Sequence, residues 1–336
     1  MPELIPIVDL LDELKTLQKG ECIYCELGAE HPSYSVCQHR FGVAIPGDAD
    51  PFAAARLQAK AAPAEPIRFG REQEYTLRAA TREEDRLRCW NLVYREYLAH
   101  GYTSPQEFEY RYSIHDALPD TATFLVEKGG QAVGTVTVFP DSPLGLPADE
   151  IFRAELDGKR REGRRPVEVG RLTIAKEYMN DRSILAALFD VLSIYARRVR
   201  RSTDLVITVN PSHAAFYERM LMFERFGEER DLGSVCGAPA VLLRLRLELE
   251  VQVRRWAHGE GPQPAGVDAK RTFYPYLSNR EDEERRVAWM KKSLKSLTET
   301  FLRRYFVWVR PLIPSLPAPL QYLLEKCYPD VNLRAE

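Results

Sequence analysis

The sequence lacks any uninterrupted apolar run of roughly 18 or more residues, and this absence argues against a membrane-spanning helix. It also begins without the apolar run that is typical of a signal peptide. Cysteine is scarce, with six residues among 336. Scattered cysteines indicate a reducing compartment rather than a disulfide scaffold. We therefore predict a cytoplasmic protein.

An excess of charge of one sign is also missing, because the net charge is −2. The chain as a whole therefore has no attraction for nucleic acid. Basic residues gather in two local clusters, Lys159-Arg160-Arg161 with Arg164-Arg165, and Arg197-Arg198 with Arg200-Arg201. Neither cluster contains the stacking aromatics expected of a nucleic-acid site. Two readings stay open: a basic rim for an acidic protein partner, or solvated helix faces.

Apolar periodicity divides the chain into four parts. We predict an N-terminal helix with a cysteine-containing cap at 1–45, a Pro- and Ala-rich linker at 46–72, a main domain at 73–250, and a linker with a C-terminal helical extension at 251–336. The extension is predicted to hold a charged helix at 281–309 and a short helix at 320–326.

The main domain has the element order β-α-β-β-β-α-β-α-β, with a polar insertion at 141–165. This order predicts an α/β fold: a mixed twisted sheet with helices on both faces. A Gly129-Gly130 pair indicates a hairpin between two of the strands. The predicted strands are 75–79, 122–127, 132–139, 167–174, 205–209 and 241–249, and the helices are 82–100, 183–201 and 214–222.

The strand at 167–174 carries a carboxylate and a guanidinium, Glu168 and Arg171. Residues three apart on a regular strand point to opposite faces. A bulge at Gly170 would restore the phase and turn both side chains toward one cleft. The alternative is a surface ion pair on an edge strand.

A second motif follows the strand at 205–209. Asn210-Pro211 ends that strand, and the next helix carries Phe216-Tyr217. Pro at a first helical position and Asn before it are typical of a helix start.

These two motifs, together with the Tyr94-Arg95-Glu96-Tyr97 helix and the 141–156 insertion, resemble the long-chain N-acyl amino acid synthases. That family is GNAT-like and related to the acyl-homoserine-lactone synthases. The resemblance covers roughly 75–250, with Gly170, Leu172 and Met222 departing from the usual residues. It implies transfer of an acyl group from the phosphopantetheine thioester of an acyl carrier protein to the amine of an amino acid.

The resemblance also implies roles for individual residues. Aminolysis of a thioester needs a base, an oxyanion contact and a proton donor for sulfur. We assign Glu168 as the base and Tyr217 as the donor, although Tyr217 could instead be a packed aromatic. Arg95 and Arg171 are candidates for binding an acceptor carboxylate. The backbone near Arg171, Leu172 and Thr173 is the candidate oxyanion contact, and Asn210 and Phe216 face the donor.

One departure bears on the donor. GNAT enzymes that use acetyl-CoA have a glycine-rich turn whose amides hold the pyrophosphate, but residues 175–183 contain no glycine. A carrier-bound pantetheine has one phosphate, which Arg182 or Lys176 could meet. The alternatives are an acyl-CoA-dependent N-acetyltransferase and, in another class, a catalytically silent module that binds partners.

Two features lie outside this scheme. Cys22, Cys25, Cys37 and His39 have the residue types of a structural zinc site, with His31 competing as fourth ligand. The alternative is a set of reduced cysteines. The aromatic segment at 305–309 is predicted either to contact a membrane peripherally or to close a core.

Overall fold

The computed structural model describes residues 64–268, 272–329 and 331–333. The candidate zinc ligands Cys22, Cys25, Cys37 and His39 lie outside these ranges, as does the predicted N-terminal helix. Within the described ranges, no group of three or more His, Cys, Asp or Glu side chains could hold a metal ion. No helix in the same ranges is long and apolar enough to cross a bilayer.

The described part of the chain is built around a nine-stranded sheet. The strand order is β1-β2-β3-β4-β5-β6-β9-β7, with β8 beside β9. All neighbours pair antiparallel except β5 and β6, which are parallel. The strands are β1 Ile67–Phe69, β2 Tyr75–Ala79, β3 Ala122–Lys128, β4 Gln131–Pro140, β5 Pro166–Ile174, β6 Asp204–Val209, β7 Glu224–Arg225, β8 Arg230–Leu232 and β9 Ala238–Arg246.

Eight α-helices accompany the sheet in the described ranges. Two of them continue as π-helical segments, at Tyr195–Val199 and at Arg303–Val309. The α-helices are α1 Glu83–Ala99, α2 Asp149–Arg161, α3 Arg182–Ile194, α4 Pro211–Leu221, α5 Leu247–Ala257, α6 Arg280–Ser293, α7 Glu299–Leu302 and α8 Ala318–Cys327.

Helices α1 and α3 cover opposite faces of the sheet, as the alternation of β3 requires. Leu125 of β3 packs with Cys89 of α1, whereas its neighbour Phe124 belongs to the core that includes Ile184 of α3. Gly134 of β4 lets α3 approach closely, since an added Cβ would lie 2.8 Å from Ile184. The predicted fold class, an α/β fold with a mixed twisted sheet and helices on both faces, is confirmed.

The polar insertion contains a helix that the sequence analysis missed. In α2, Phe152, Leu156 and Arg160 are spaced four apart and form one buried face. Acidic residues occupy its first turn and basic residues its last, which complements the helix dipole. The insertion is therefore an ordered element that packs against the sheet.

Three other predictions were wrong in their bounds. Strand β1 lies within the segment predicted as a linker. The strand predicted at 241–249 ends at Arg246, and Leu247 begins α5, whose buried positions include Leu247, Glu250 and Val253. The single helix predicted at 281–309 is broken between Ser293 and Glu299.

The C-terminal extension is joined to the main domain by a buried charge network. Arg254 of α5 donates to Asp190 of α3 (2.6 Å) and to Glu250 (2.8 Å), and Ser278 Oγ donates to Asp190 (2.6 Å). Further along, Tyr305, Phe306 and Val307 are buried beside Trp90 of α1. The aromatic segment thus closes a core, although against α1 rather than the sheet, and only Trp308 is strongly exposed, at 61%.

Most side chains of the two basic clusters form ion pairs within the protein. Arg160 is buried and holds Asp141, Asp149 and Asp157. Arg164 bridges Asp204 and Glu248. In the second cluster, carboxylates pair with three arginines: Arg197, Arg198 and Arg200. These ion pairs connect neighbouring elements of the fold. Most residues of the two clusters are therefore already paired, which disfavours the interpretation as a basic rim for an acidic partner.

Candidate active site

The two parallel strands at the centre of the sheet part after a short paired stretch. Strand β5 pairs with β6 only at 166–168, opposite 204–206. Beyond that point β6 stays paired with β9 as far as Val209, while β5 stays paired with β4 as far as Ile174. The remaining halves of β5 and β6 therefore diverge and leave a gap between residues 169–174 and 207–209.

A β-bulge in β5 accompanies the divergence. Thr137 of β4 pairs with Gly170 but Thr135 pairs with Thr173, so two residues of β5 oppose one of β4. Arg171 takes the left-handed backbone conformation, with φ 54°. The bulge thus lies one residue beyond the predicted Gly170. Gly170 has a different reason to be glycine, because an added Cβ would lie 3.1 Å from the Phe139 ring.

A cavity of about 1170 Å³ opens into this gap. Its walls come from both diverging strands, from α3 and α4, from the start of α2, and from the C-terminal extension. The donor end, as we call the part within the gap, is apolar and is lined by Ile174, Leu185, Phe189, Leu192, Ile207 and Val209. The polar part of the lining, which we call the acceptor end, is formed by Tyr97, Arg111, His115, Asp149, Arg171 and Arg310.

Glu168 lies in the cavity wall at the last paired position of β5, with 4% of its surface exposed. The backbone N–H of Ala148 donates to its Oε2 at 2.6 Å. The pKa of Glu168 is raised to about 8, mainly by burial and to a smaller extent by the Asp149 carboxylate. The Ala148 hydrogen bond and the Arg171 guanidinium act in the opposite direction. Once ionised, a carboxylate with such a pKa is a stronger base than an ordinary one.

Arg171 is held by an acidic partner from a distant loop. Its Nη1 donates to both carboxylate oxygens of Asp116 at 2.6 Å, and its Nη2 donates to Ser113 Oγ at 2.9 Å. Asp116 also accepts from the Trp90 indole and the Ser113 backbone N–H. The bulge therefore turns Arg171 toward the same cavity as Glu168, as predicted, but its charge is already paired.

Tyr217 of α4 lies across the gap and lines the same cavity as Glu168. Burial raises its pKa to about 12, with a smaller contribution from the Tyr97 phenol. Its hydroxyl therefore stays protonated and able to donate. Its ring also packs at a steep angle on Phe216 and Phe223, so the packed-aromatic reading describes the ring and leaves the hydroxyl for chemistry.

The other predicted site residues divide into two groups. Leu172, Thr173, Asn210 and Phe216 line the cavity. Asn210 caps α4 by accepting from the Ser212 N–H at 3.0 Å. Arg95 and Arg182 are exposed and do not line the cavity; Arg95 borders a separate groove beside Tyr178.

Three residues that the sequence analysis did not single out contribute to the site: Asp116, His115 and Arg310. Asp116 neutralises Arg171. His115 is neutral, because burial lowers its pKa to about 4. Arg310 reaches the cavity from the far end of the chain. No local signal marks them, since each is brought to the site by contacts between distant segments.

Residues 88–246 match the family described as "N-acyl amino acid synthase FeeM". The chain is an N-acyltransferase. The resemblance predicted from the four motifs is thereby confirmed over the matched range. A comparison with curated proteins found no significant match.

Several solved structures are similar to part of the chain. FeeM, an N-acyl amino acid synthase from uncultured soil microbes, is 26% identical, with 52% of this chain and 92% of that chain covered and a TM-score of 0.47. The AHL synthase LasI is 19% identical, with 53% and 93% covered and a TM-score of 0.42. An N-acetyltransferase from Lactobacillus plantarum is 16% identical, with 52% and 98% covered and a TM-score of 0.36.

Proposed function

We propose that the enzyme transfers a long acyl chain from an acyl carrier protein thioester to the amine of an amino acid or a similar small acceptor. The observation that carries this proposal is the cavity that enters the gap between β5 and β6, with Glu168 and Tyr217 both in its wall. A thioester lying in that gap would place its carbonyl carbon between an apolar channel and a polar chamber.

The depth of the donor end supports a long acyl chain. Phe189 and Leu192 line the cavity although they are core residues, 2% and 1% exposed. The channel therefore reaches the interior between α3 and the sheet. The cavity volume of about 1170 Å³ also exceeds the ~300–1,000 Å³ usual for small-molecule pockets. An acetyl group would leave most of this apolar surface uncovered.

The start of α3 favours a carrier protein over CoA. The Asp181 carboxylate occupies the helix N-terminus, where it accepts from the Ser183 N–H (2.9 Å) and Ser183 Oγ (2.6 Å). Tyr75 donates to its other oxygen at 2.8 Å. A helix N-terminus ordinarily attracts phosphate, but here a fixed carboxylate would repel a pyrophosphate. The exposed Lys176 and Arg182 nearby suit the single phosphate of pantetheine.

The reaction divides among the residues as follows. The acceptor amine attacks the thioester carbonyl carbon, so that an N–C bond forms and the C–S bond breaks. Ionised Glu168 takes the proton that the amine loses. The Tyr217 hydroxyl donates a hydrogen bond to the departing thiolate, which takes up a proton from solvent, so that the carrier leaves with a free thiol and Glu168 returns its proton to solvent. Because Glu168 must be ionised, the proposed mechanism runs faster as the pH rises toward about 8.

The test uses the full chain with acyl carrier protein charged with acyl groups of two to sixteen carbons, and a pool of amino acids. Mass spectrometry should detect N-acyl amino acids, with long chains preferred and matched acyl-CoA donors used more slowly. Activity confined to acetyl-CoA would instead indicate an N-acetyltransferase. No product with any donor, and no difference between the wild type and Glu168→Gln, would indicate a catalytically silent module.

A further inference from the structure

Two arginines from distant parts of the chain meet at the acceptor end of the cavity. Arg111 precedes the Ser113–Asp116 loop, and Arg310 follows the π-helical segment of the C-terminal extension; both line the cavity. Both arginines are hydrogen-bonded to the backbone of one stacked aromatic pair, Trp90 and Tyr112, whose ring centroids lie 4.3 Å apart. Arg111 N–H donates to Trp90 O at 3.1 Å, and Arg310 Nη1 donates to Tyr112 O at 3.0 Å.

Neither guanidinium has an ion-pair partner among the described residues. Arg111 donates to the Ser234 carbonyl and lies over the Tyr97 ring, and Arg310 lies over the Tyr112 ring. Both therefore bind only neutral groups. Burial lowers the pKa of Arg111, and the positive charges of Arg171 and Arg310 lower it further. The protein thus holds like charges together, an arrangement that an anionic ligand would stabilise.

The carboxylates around the cavity do not pair with these two guanidiniums. Asp149 is bound to Arg160, and Asp116 to Arg171. Glu150 accepts from the Ser234 N–H at 3.0 Å. The pKa of Glu168 is raised to about 8, mainly by burial, so its carboxyl is mostly protonated at neutral pH. Glu96 also lines the cavity and, like Glu150, forms no ion pair with Arg111 or Arg310 among the described residues. The two positive charges are therefore left without a carboxylate partner.

We infer that Arg111 and Arg310 form the binding site for the carboxylate of the acceptor, so that the C-terminal extension completes the acceptor site. A guanidinium binds a carboxylate with two parallel hydrogen bonds, and two guanidiniums fix its orientation. This inference rests on the proposed function and assigns its acceptor subsite. It also replaces the predicted carboxylate ligands, since Arg95 lies outside the cavity and Arg171 is paired with Asp116. Arg310 lies beyond the matched range 88–246.

The test measures binding rather than turnover. Isothermal titration calorimetry compares N-dodecanoyl-L-phenylalanine with its α-amide, which has the same acyl chain and side chain but no carboxylate. The wild type should bind the acid at least about tenfold more tightly than the amide. Arg310→Gln and Arg111→Gln should each remove most of this preference, and Arg310→Lys should keep part of it. Arg304→Gln, at an exposed position of the same segment, should keep the full preference.

The outcomes separate the two proposals. Equal binding of acid and amide by the wild type would overturn the carboxylate site while leaving acyl transfer in place. Failure to bind either compound would contradict the proposed function as well. If a Gln variant is unfolded by circular dichroism, Arg310→Lys decides the matter. A preference that Arg310→Lys and Arg111→Gln both retain in full would overturn the assignment.

Discussion

The two ends of the cavity are built in different ways. The donor end comes from sheet topology: two parallel strands pair over three residues and then part. The acceptor end comes from long-range packing, in which Tyr112 donates to the Tyr305 carbonyl across 193 residues at 2.7 Å. The residues that line the donor end lie in the matched range 88–246, whereas Arg310 brings the extension into the acceptor end. The contrast shows that strand topology alone can open one end of the cavity, whereas the other end also depends on contacts between distant segments.

The largest expected effect on activity comes from Glu168, at the boundary between the two ends of the cavity. Glu168→Gln should lower kcat/KM for acyl transfer about 10²–10⁴-fold, because general base catalysis contributes on this order. The KM for the acyl donor should change little, since the proposed donor site lies in the gap. Steady-state kinetics with acyl carrier protein donors measure both. Glu162→Gln, at an exposed ion pair with Lys159, is the matched control, and a loss in that variant would point to misfolding instead.

The next prediction tests whether Arg171 supports the structure or binds the acceptor. Arg171→Gln should destabilise the protein by about 3–5 kcal/mol, because it leaves Asp116 buried without its cation. The double variant Arg171→Gln with Asp116→Asn should recover part of this loss. Urea denaturation followed by fluorescence gives the free energies of unfolding. If Arg171→Gln unfolded like the wild type and only raised the acceptor KM, Arg171 would belong to the acceptor subsite after all.

The Glu168 carboxyl should make the free energy of unfolding depend on pH. The pKa of Glu168 is raised in the folded protein to about 8, so its contribution to stability is complete below the unfolded pKa and is lost as the pH rises from about 4.5 through 8. Glu168→Gln lacks this titration. The variant should therefore gain stability relative to the wild type between pH 5 and pH 9, by at most ~5 kcal/mol. Parallel pH dependences of unfolding would refute the raised pKa.

A bulky residue in the donor end should shorten the preferred acyl chain. Leu185 of α3 is half-buried and lines the channel. Leu185→Trp should lower kcat/KM at least about tenfold for chains of twelve or more carbons and much less for short chains, since only long chains reach it. Leu185→Met conserves volume and should keep the wild-type profile. An unchanged chain-length profile in the Trp variant would place the acyl chain elsewhere.

The smallest expected effect concerns Tyr217. Removal of its hydroxyl in Tyr217→Phe should reduce kcat about three- to tenfold, the scale of one hydrogen bond of about 1 kcal/mol. The donor KM should stay constant, because the ring and its packing on Phe223 are kept. Single-turnover kinetics isolate the chemical step. A donor thioester with a poorer leaving group should increase the ratio of the wild-type rate to the Tyr217→Phe rate. If this ratio did not depend on the leaving group, Tyr217 would have only a packing role.

Local patterns predicted the elements that build the donor end. The alternation of β5 and the Asn210-Pro211 helix start are encoded by neighbouring residues, and both were found. The bulge was expected at Gly170 but formed at Arg171. The glycine misled the prediction because it is required for another reason, the close approach of the Phe139 ring, which is remote in sequence. Leu247 and Leu249 continue the alternation of β9, whereas the buried face of α5 includes the charged Glu250, so the strand was predicted to run too far. Asp116 and Arg310 depend on tertiary contacts, and no local pattern indicates them.

The most direct measurement is a crystal structure with a non-hydrolysable dodecanoyl-pantetheine amide bound. The account predicts that the acyl chain passes between residues 169–174 and 207–209, ends beside Phe189 and Leu192, and places its carbonyl carbon next to Glu168. A chain bound outside that gap, with Glu168 away from the carbonyl group, would contradict it.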